Sequence, residues 1–116
     1  HKMLAQVSGT RFSSLAQGET ATTVVAGPVL LFNIMGYNSG GSASFLQFFD
    51  ALEADVTVGT TVPTFVIPLP AGGGYDTSYN LPEGFTTGIV VACTSTATGA
   101  GAPAADAIVK LGYVGG

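Results

Sequence analysis

Short runs of β-branched and aromatic residues, separated by Gly, Pro and Asn, recur along most of this chain. Two of these runs, Val29–Tyr37 and Ser44–Asp50, are joined by the turn-forming cluster Asn38–Ser42. β-branched and aromatic residues favour strands, and a cluster of Asn, Ser and Gly of this length is typical of a hairpin turn. The pattern therefore predicts that the two runs form a β-hairpin.

The segment Thr64–Leu69 shows the two-residue alternation of a strand with one buried face. Its apolar side chains on one side are Phe65, Ile67 and Leu69, and prolines stand at positions 63, 68 and 70. Since proline donates no hydrogen bond to a neighbouring strand, we expect this strand at the edge of a sheet. The glycine run that follows, Ala71–Gly74, is expected to be a loop.

Two further strands are predicted near the end of the chain, within Thr86–Thr96 and at Ala107–Val114, because both segments have high β propensity. Ala97–Ala105 between them has no charge and almost no side-chain volume, which predicts an exposed and mobile loop. Several short strands spaced by turns over about 100 residues favour a single antiparallel β-sandwich. Jelly-roll and immunoglobulin-like topologies both stay open at this point.

The chain is expected to divide into an N-terminal leader, residues 1–20, and a β-sandwich domain, residues 21–116, because 116 residues suit one domain. Apolar side chains occur in the leader at irregular spacing, at Leu4, Val7, Phe12 and Leu15. Two alternatives follow for this segment. It is either a first strand packed on its own sandwich or an arm that lies on a neighbouring subunit.

Charged residues are scarce, since three Lys or Arg and seven Asp or Glu make up 9% of the chain, against 47% hydrophobic residues. An ordinary soluble domain carries about 25% charged residues. A surface with so little charge is poorly protected against contact, so we expect it to meet other protein subunits. The few cations leave no basic stripe for nucleic acid or an anionic membrane surface, and no apolar run reaches the length of about 20 residues that a spanning helix needs.

Candidate catalytic residues are few. His1 is the only histidine, and Cys93, the only cysteine, falls in a predicted strand. A Ser-His-Asp or Cys-His arrangement is therefore not expected, and Cys93 is expected to be a small buried hydrophobe. One Cys and one His cannot supply the four ligands of a structural zinc site. We expect no catalytic residue, no metal site and no cofactor.

Three carboxylates, Asp50, Glu53 and Asp55, cluster after a predicted strand. Their spacing matches no calcium loop and a solvated turn accounts for them, so neither a calcium site nor an acid/base pair is predicted. A hydrolase built from a more distant pair of carboxylates is the weakest of the function hypotheses. Gly72–Gly74 is not expected to hold a phosphate, because no Lys-Ser/Thr pair follows it and no helix is predicted there.

Tyr75, Tyr79 and Phe85 surround the glycine run. An aromatic platform for a sugar or a protein partner is one interpretation, and ordinary strand-face aromatics are the stronger one. A ligand- or carbohydrate-binding β-sandwich module is the alternative function for the chain. It would use Gly72–Asn80 and Ala97–Ala105 as loops at one end of the sandwich.

Three stretches precede the final predicted strand: Ser44–Asp50 (SFLQFFD), Val58–Phe65 (VGTTVPTF) and Leu81–Ile89 (LPEGFTTGI). In this order the chain resembles small virion-associated β-sandwich proteins of tailed bacteriophages, over about residues 29–114. These motifs carry no catalytic signature. The resemblance implies a non-enzymatic structural role, above all decorating or cementing a capsid, or serving as a small subunit of a tail or fibre.

The resemblance also implies partners and a location. The partners would be copies of the chain itself and a major capsid or other virion protein, in a virion built after synthesis in the host cytoplasm. Nucleic acid and membranes are not expected as partners. The predicted partner contacts are Leu4, Arg11, Phe12, Tyr75 and Tyr79.

Overall fold

The computed structural model describes residues 10–116, and within them the chain forms eight strands and one short 3₁₀ helix. Apolar runs become strands and the turn residues between them end each strand, as expected from their backbone preferences. The strands are β1 (Thr10–Gln17), β2 (Thr22–Ala26), β3 (Val29–Asn38), β4 (Ser44–Asp50), β5 (Phe65–Leu69), β6 (Gly73–Phe85), β7 (Gly88–Thr94) and β8 (Ala107–Gly115), and the 3₁₀ helix is Glu53–Asp55.

The strands form two four-stranded sheets. Sheet A has the order β1-β8-β3-β6 and sheet B the order β2-β7-β4-β5, and every neighbouring pair is antiparallel. The first strand pairs with the eighth, the second with the seventh, the third with the sixth and the fourth with the fifth, as in one long hairpin rolled into a sandwich. This is the jelly-roll topology. The predicted all-β antiparallel sandwich is confirmed, and the jelly roll is the topology that forms.

The core lies between the two sheets, where alternate side chains of each strand meet. The rings of Phe48 in β4 and Phe65 in β5 stack with their centroids 4.8 Å apart. Cys93 in β7 is fully buried in this core, as predicted. The central strands supply most of the remaining core side chains: Leu31, Ile34, Leu46, Ile89, Val91, Val109 and Leu111.

The predicted hairpin between β3 and β4 is wrong, although both strands lie where the sequence places them. β3 belongs to sheet A and β4 to sheet B, so residues 39–43 cross from one sheet to the other. The buried Asn38 side chain shapes this crossing. Its Nδ2 donates to the Ser42 carbonyl at 2.8 Å and to the Leu69 carbonyl at 3.3 Å, and its Oδ1 accepts from the Gly40 N–H at 2.8 Å. Five residues are long enough to span the distance of about 10 Å between two packed sheets. Turn propensity does not specify which sheet the next strand joins, so the sequence pattern alone could not distinguish a hairpin from this crossing.

β5 is an edge strand of sheet B, as its prolines predict. Ile67 and Leu69 are buried, and Phe65 packs against the core at the start of the same face. Pro68 between them is exposed and pairs with Phe45 of β4. The missing proline donor therefore costs no ladder hydrogen bond in the sheet interior.

The glycine run is not the predicted loop, because β6 already begins at Gly73. The turn before it is tight, with Gly72 at a φ of 63° and the Gly73 N–H donating to the Pro70 carbonyl at 3.0 Å. Gly74 lies against β3, where a Cβ would come within 2.6 Å of the Gly36 carbonyl oxygen. The glycines allow two backbones to approach closely, which turn statistics do not reveal. The expected loop over Gly72–Asn80 is therefore mostly strand.

Residues 10–17 of the leader form β1, which pairs with β8 from Thr10 opposite Tyr113 to Gln17 opposite Ala107. This part of the leader is thus a first strand on the chain's own sheet, one of the two alternatives. Leu4 and the rest of residues 1–9 lie outside the described residues.

Candidate interaction surface

The outer face of sheet B is covered by the chain itself. Phe49, Val90 and Ala92 point away from the main core, yet they are buried under apolar residues of the segment after β4, Ala51, Val56 and Val58. As a result all seven residues of β7 are buried. The segment between β4 and β5 that covers this face exposes two large apolar side chains of its own, Leu52 and Val62.

The Ala97–Ala105 segment is held on the same side of the molecule. The buried Gln47 in β4 donates from Nε2 to the Thr94 hydroxyl at 2.7 Å and to the Gly99 carbonyl at 2.9 Å. A Cβ at Gly59 would lie 2.8 Å from the Ala100 side chain, so this segment also touches the one after β4. None of residues 97–105 is buried, in agreement with the predicted exposure of this loop.

Two carboxylates of the predicted cluster accept hydrogen bonds from neighbouring parts of the chain. Asp50 accepts from the backbone N–H groups of Thr86, Thr87 and Gly88, at 3.0, 2.8 and 3.3 Å. Burial acts to raise the pKa of Asp50, but these hydrogen bonds together outweigh it and the pKa is lowered. Asp50 therefore closes the turn between β6 and β7.

Glu53 ties the 3₁₀ helix to the edge strand β2. Its Oε1 accepts from the Thr23 hydroxyl at 2.7 Å and from the Thr23 N–H at 2.8 Å, and these bonds lower the pKa of Glu53. Asp50 and Glu53 are thus acceptors for backbone donors of neighbouring strands. Across residues 10–116, no three His, Cys, Asp or Glu side chains come together as a group that could hold a metal ion.

The outer face of sheet A, in contrast, is not covered by any segment of residues 10–116, and we call it the bare face. Six of its apolar side chains, from β3, β8 and β1, are each more than one third exposed: Leu15, Leu30, Phe32, Tyr37, Ile108 and Val114. In an antiparallel sheet, side chains alternate between the two faces, so these residues all point away from the core that lies under sheet A. Apolar residues on both faces of a sheet are typical of a surface that is covered in the working protein.

A β-bulge in β3 shapes the middle of this face. The register shifts between Leu31 and Asn33 against both neighbouring strands, and Phe32 and Asn33 are exposed in succession. The Asn33 side chain lies over Gly112 of β8, where a Cβ would come within 2.6 Å of it. The bulge therefore places an aromatic ring and an amide side by side on the outer face.

Two recesses lie beside the bulge, and both are lined by Val114. The first is a groove of about 440 Å³ with Arg11, Phe32, Lys110 and Gly112 among its lining residues. The second has a volume of about 470 Å³ and is walled by residues that include Leu30, Gly84 and Phe85. The two recesses make one end of the outer face concave, and the second of them is lined mainly by apolar residues.

Charge on this face is sparse and segregated. Arg11 and Lys110, the fixed cations of residues 10–116, lie on β1 and β8. Asp76 lies on β6, at the opposite edge of the sheet, and is paired with Met35 of β3. The face therefore runs from a cationic side through an apolar centre to an anionic side.

The sequence-predicted contact residues fall in different places. Arg11 is exposed on the outer face of sheet A, whereas Phe12, Tyr75 and Tyr79 are partly buried and pack against the core between the sheets. Burial, and then the neighbouring Tyr75, raises the pKa of Tyr79 to about 12. The two tyrosines thus have the position of ordinary strand-face aromatics, the stronger of the two interpretations.

Sequence reasoning missed the residues that form the bare face. Val29–Tyr37 is apolar at both alternate sets of positions, with Leu30 and Phe32 between the core residues Val29, Leu31 and Ile34. A half-exposed strand alternates apolar and polar residues, so a run that is apolar on both sides indicates that both sides avoid water. That signal was present in the sequence of β3.

Comparison with protein families, with curated proteins and with solved structures found no match to this chain. The resemblance to virion-associated proteins therefore stays a prediction. Within residues 10–116 there is no helix with the length and apolar character needed to cross a membrane.

Proposed function

We propose that this protein is a non-enzymatic structural subunit that assembles with other protein subunits through the outer face of sheet A. The observation that supports this most is the contrast between the two outer faces. The chain covers the outer face of sheet B with its own segments, whereas the outer face of sheet A presents large apolar side chains with few charges. Covering those side chains with a partner would remove apolar surface from water, which favours association.

The form of assembly that we propose is decoration or cementing of a virus capsid, with copies of the chain and a major capsid or other virion protein as partners. Two arguments support this form, the resemblance of the three sequence stretches and the jelly-roll topology, which also occurs in viral capsid proteins. The jelly-roll topology supports this form by analogy alone, because one fold serves many functions. Weak contacts repeated over a symmetric particle add up to firm attachment, which suits a subunit with one sparsely charged face.

The alternative function, a ligand- or carbohydrate-binding module, has less support. One of its two expected loops, Gly72–Asn80, is largely the strand β6, and the rings of Tyr75 and Tyr79 pack against the core. Its other loop, Ala97–Ala105, carries no aromatic ring on which a sugar would stack.

The proposal is tested by gradient sedimentation of the protein from the cells that produce it. Leu30→Asp places a charge on the bare face near the start of β3, where the native side chain is 44% exposed. Val62→Asp is the matched control, because Val62 is 83% exposed in the segment between β4 and β5. We expect the wild type and Val62→Asp to sediment with large assemblies and Leu30→Asp to stay near the top of the gradient. Equal sedimentation of all three proteins would contradict the proposal.

A further inference from the structure

The outer face of sheet A shows a regular asymmetry between its two sides. Residues that lie opposite each other in an antiparallel ladder point to the same face, so each set of partners across β8, β3 and β6 forms a row. The register defines four such rows on the outer face: Ile108–Tyr37–Gly74, Lys110–Met35–Asp76, Gly112–Asn33–Ser78 and Val114–Leu30–Gly84. In two rows a bulky residue on β8 is matched by a glycine on β6, and in a third a cation is matched by an anion. The row through Asn33 has small residues on both sides.

We infer that the outer face of sheet A binds a second copy of this chain, related to the first by a two-fold axis that runs parallel to β3 between the two faces. The inference rests on the proposed function and names one partner for its surface. A two-fold rotation of this kind exchanges the two sides of the sheet and keeps each row at its own level. It therefore lays β8 of one copy over β6 of the other, and the same contacts form twice.

This arrangement makes the face complementary to itself in shape. The side chains of Ile108 and Val114 from one copy lie over Gly74 and Gly84 of the other, so that protruding groups meet depressions. The alternative two-fold axis, across the strands, would lay β8 over β8. It would bring the bulky side chains of the two copies against each other and leave glycine opposite glycine.

The arrangement also makes the face complementary in charge. Within one chain, Lys110 and Asp76 stand on either side of Met35, two strand spacings or about 9.6 Å apart. Rotation about the axis along β3 brings Lys110 of each copy over Asp76 of the other. The axis across the strands would instead place Lys110 of each copy on the cationic side of the other, which is unfavourable.

The groove beside the bulge lies level with an irregular part of β6. It lies where β3 shifts register, between Leu31 and Asn33. At this level β6 has its own irregular segment, residues 79–82. The rotation that lays β6 over β8 brings this segment of the second copy to the groove.

The area of the face determines the affinity that we expect for the dimer. With the axis over β3 the two copies overlap through β8, β3 and β6. These three strands are about 14 Å wide and eight residues of β3 are about 26 Å long, so each copy contributes about 370 Å². The total of about 750 Å² is that of a weak, transient contact. We therefore expect a reversible dimer with a dissociation constant of about 100 µM.

The test is sedimentation equilibrium of the purified full chain from about 1 µM to about 500 µM, a range that brackets a dissociation constant of about 100 µM. We expect the mass to rise from the 11.6 kDa of one chain toward twice that value. Lys110→Glu and Asp76→Lys should each weaken the dimer about tenfold, because each places like charges opposite each other twice, and the double variant should restore it. A mass that stays at one chain throughout, or a double variant no tighter than the single variants, would overturn the inference.

A glycine variant gives a second test that spares the fold. At Gly84 the nearest atom to an added Cβ is Leu30 Cδ2, at 3.9 Å, so the single chain has room for a side chain there. Gly84→Leu should fold and fail to dimerise, since it fills the depression that receives Val114 of the second copy. A Gly84→Leu protein that dimerises as the wild type does would exclude this arrangement.

The two proposals can fail separately. A monomeric wild type, together with loss of large assemblies in Leu30→Asp, would overturn the dimer and leave the proposed function with a different partner. A dimer that obeys the charge-reversal test, together with unchanged sedimentation of Leu30→Asp from cells, would support the dimer and contradict the proposed function.

Discussion

The carboxylate of Asp50, at the end of β4, accepts a hydrogen bond from the backbone N–H of Thr87 at 2.8 Å and thereby ties β4 to the turn between β6 and β7. The N–H of Thr86 is held by the second carboxylate oxygen at 3.0 Å. A sheet B strand thus fixes the turn through which the chain passes from sheet A back to sheet B. This contact connects the two layers of the sandwich at one end.

Asp50→Ala should lower the free energy of unfolding by about 1 kcal/mol, because several backbone donors lose a charged acceptor while water can still reach most of them. Urea unfolding followed by circular dichroism measures the change. Asp55→Ala is the matched control, since this exposed carboxylate lies in the same acidic segment. An Asp50→Ala protein as stable as the control would show that the turn does not depend on this carboxylate.

Stability should fall in acid because of Asp50 and Glu53. Their usual pKa values are 3.8 and 4.5, and hydrogen bonding lowers both in the folded protein. At a pH between the folded and unfolded pKa values the unfolded chain binds more protons, so the stabilisation present above about pH 4.5 is lost as the pH falls through the folded pKa values. Thermal melting from about pH 7 down to about pH 3 should show this loss. In the double variant Asp50→Asn, Glu53→Gln the melting temperature should depend less steeply on pH. An unchanged slope of melting temperature against pH would show that other titratable groups cause the loss of stability.

Gly74 and Gly84 form a matched pair of glycines on β6. Gly74→Ala should lower the free energy of unfolding by about 2 kcal/mol, because its Cβ would come within 2.6 Å of the Gly36 carbonyl oxygen and force the strands apart. Gly84→Ala should change it by less than about 0.5 kcal/mol, because the nearest atom is 3.9 Å away. Equal melting temperatures for the two variants would contradict the close approach of β6 to β3.

Cys93 should be unreactive in the folded protein. It is fully buried in β7, and burial raises the pKa of its thiol, so both access and thiolate formation are suppressed. Labelling by a disulfide reagent at about pH 8 should be at least about 100-fold slower than in urea-unfolded protein, because it must wait for the strand to open. Similar labelling rates in the two states would show that β7 is more accessible than the structure indicates.

Local sequence signals located most of the strands. The apolar runs correspond to β3, β4 and β8, and the prolines around β5 placed it at an edge, because a missing donor acts within a few residues of its position. Partner choice depends on the whole chain, so the Asn38–Ser42 cluster was mistaken for a hairpin turn when its buried Asn side chain holds a crossing between sheets.

β6 was missed for a related reason. Its glycines, Asn80 and Pro82 are turn-forming residues, but the strand lies at the edge of sheet A, where Pro82 is tolerated, and Gly74 permits close contact with β3. The sequence predicted that a protein contact surface exists, but not that it is the outer face of sheet A. Low charge predicted that some surface meets protein, whereas its location depended on which sheet the chain's own segments cover.

The central claim, that the outer face of sheet A is a protein contact surface, is tested most directly by sedimentation of Leu30→Asp beside Val62→Asp in extracts of the producing cells. We predict that Leu30→Asp is lost from large assemblies while Val62→Asp stays with them. Retention of Leu30→Asp at the wild-type level, with both variants folded, would contradict the claim.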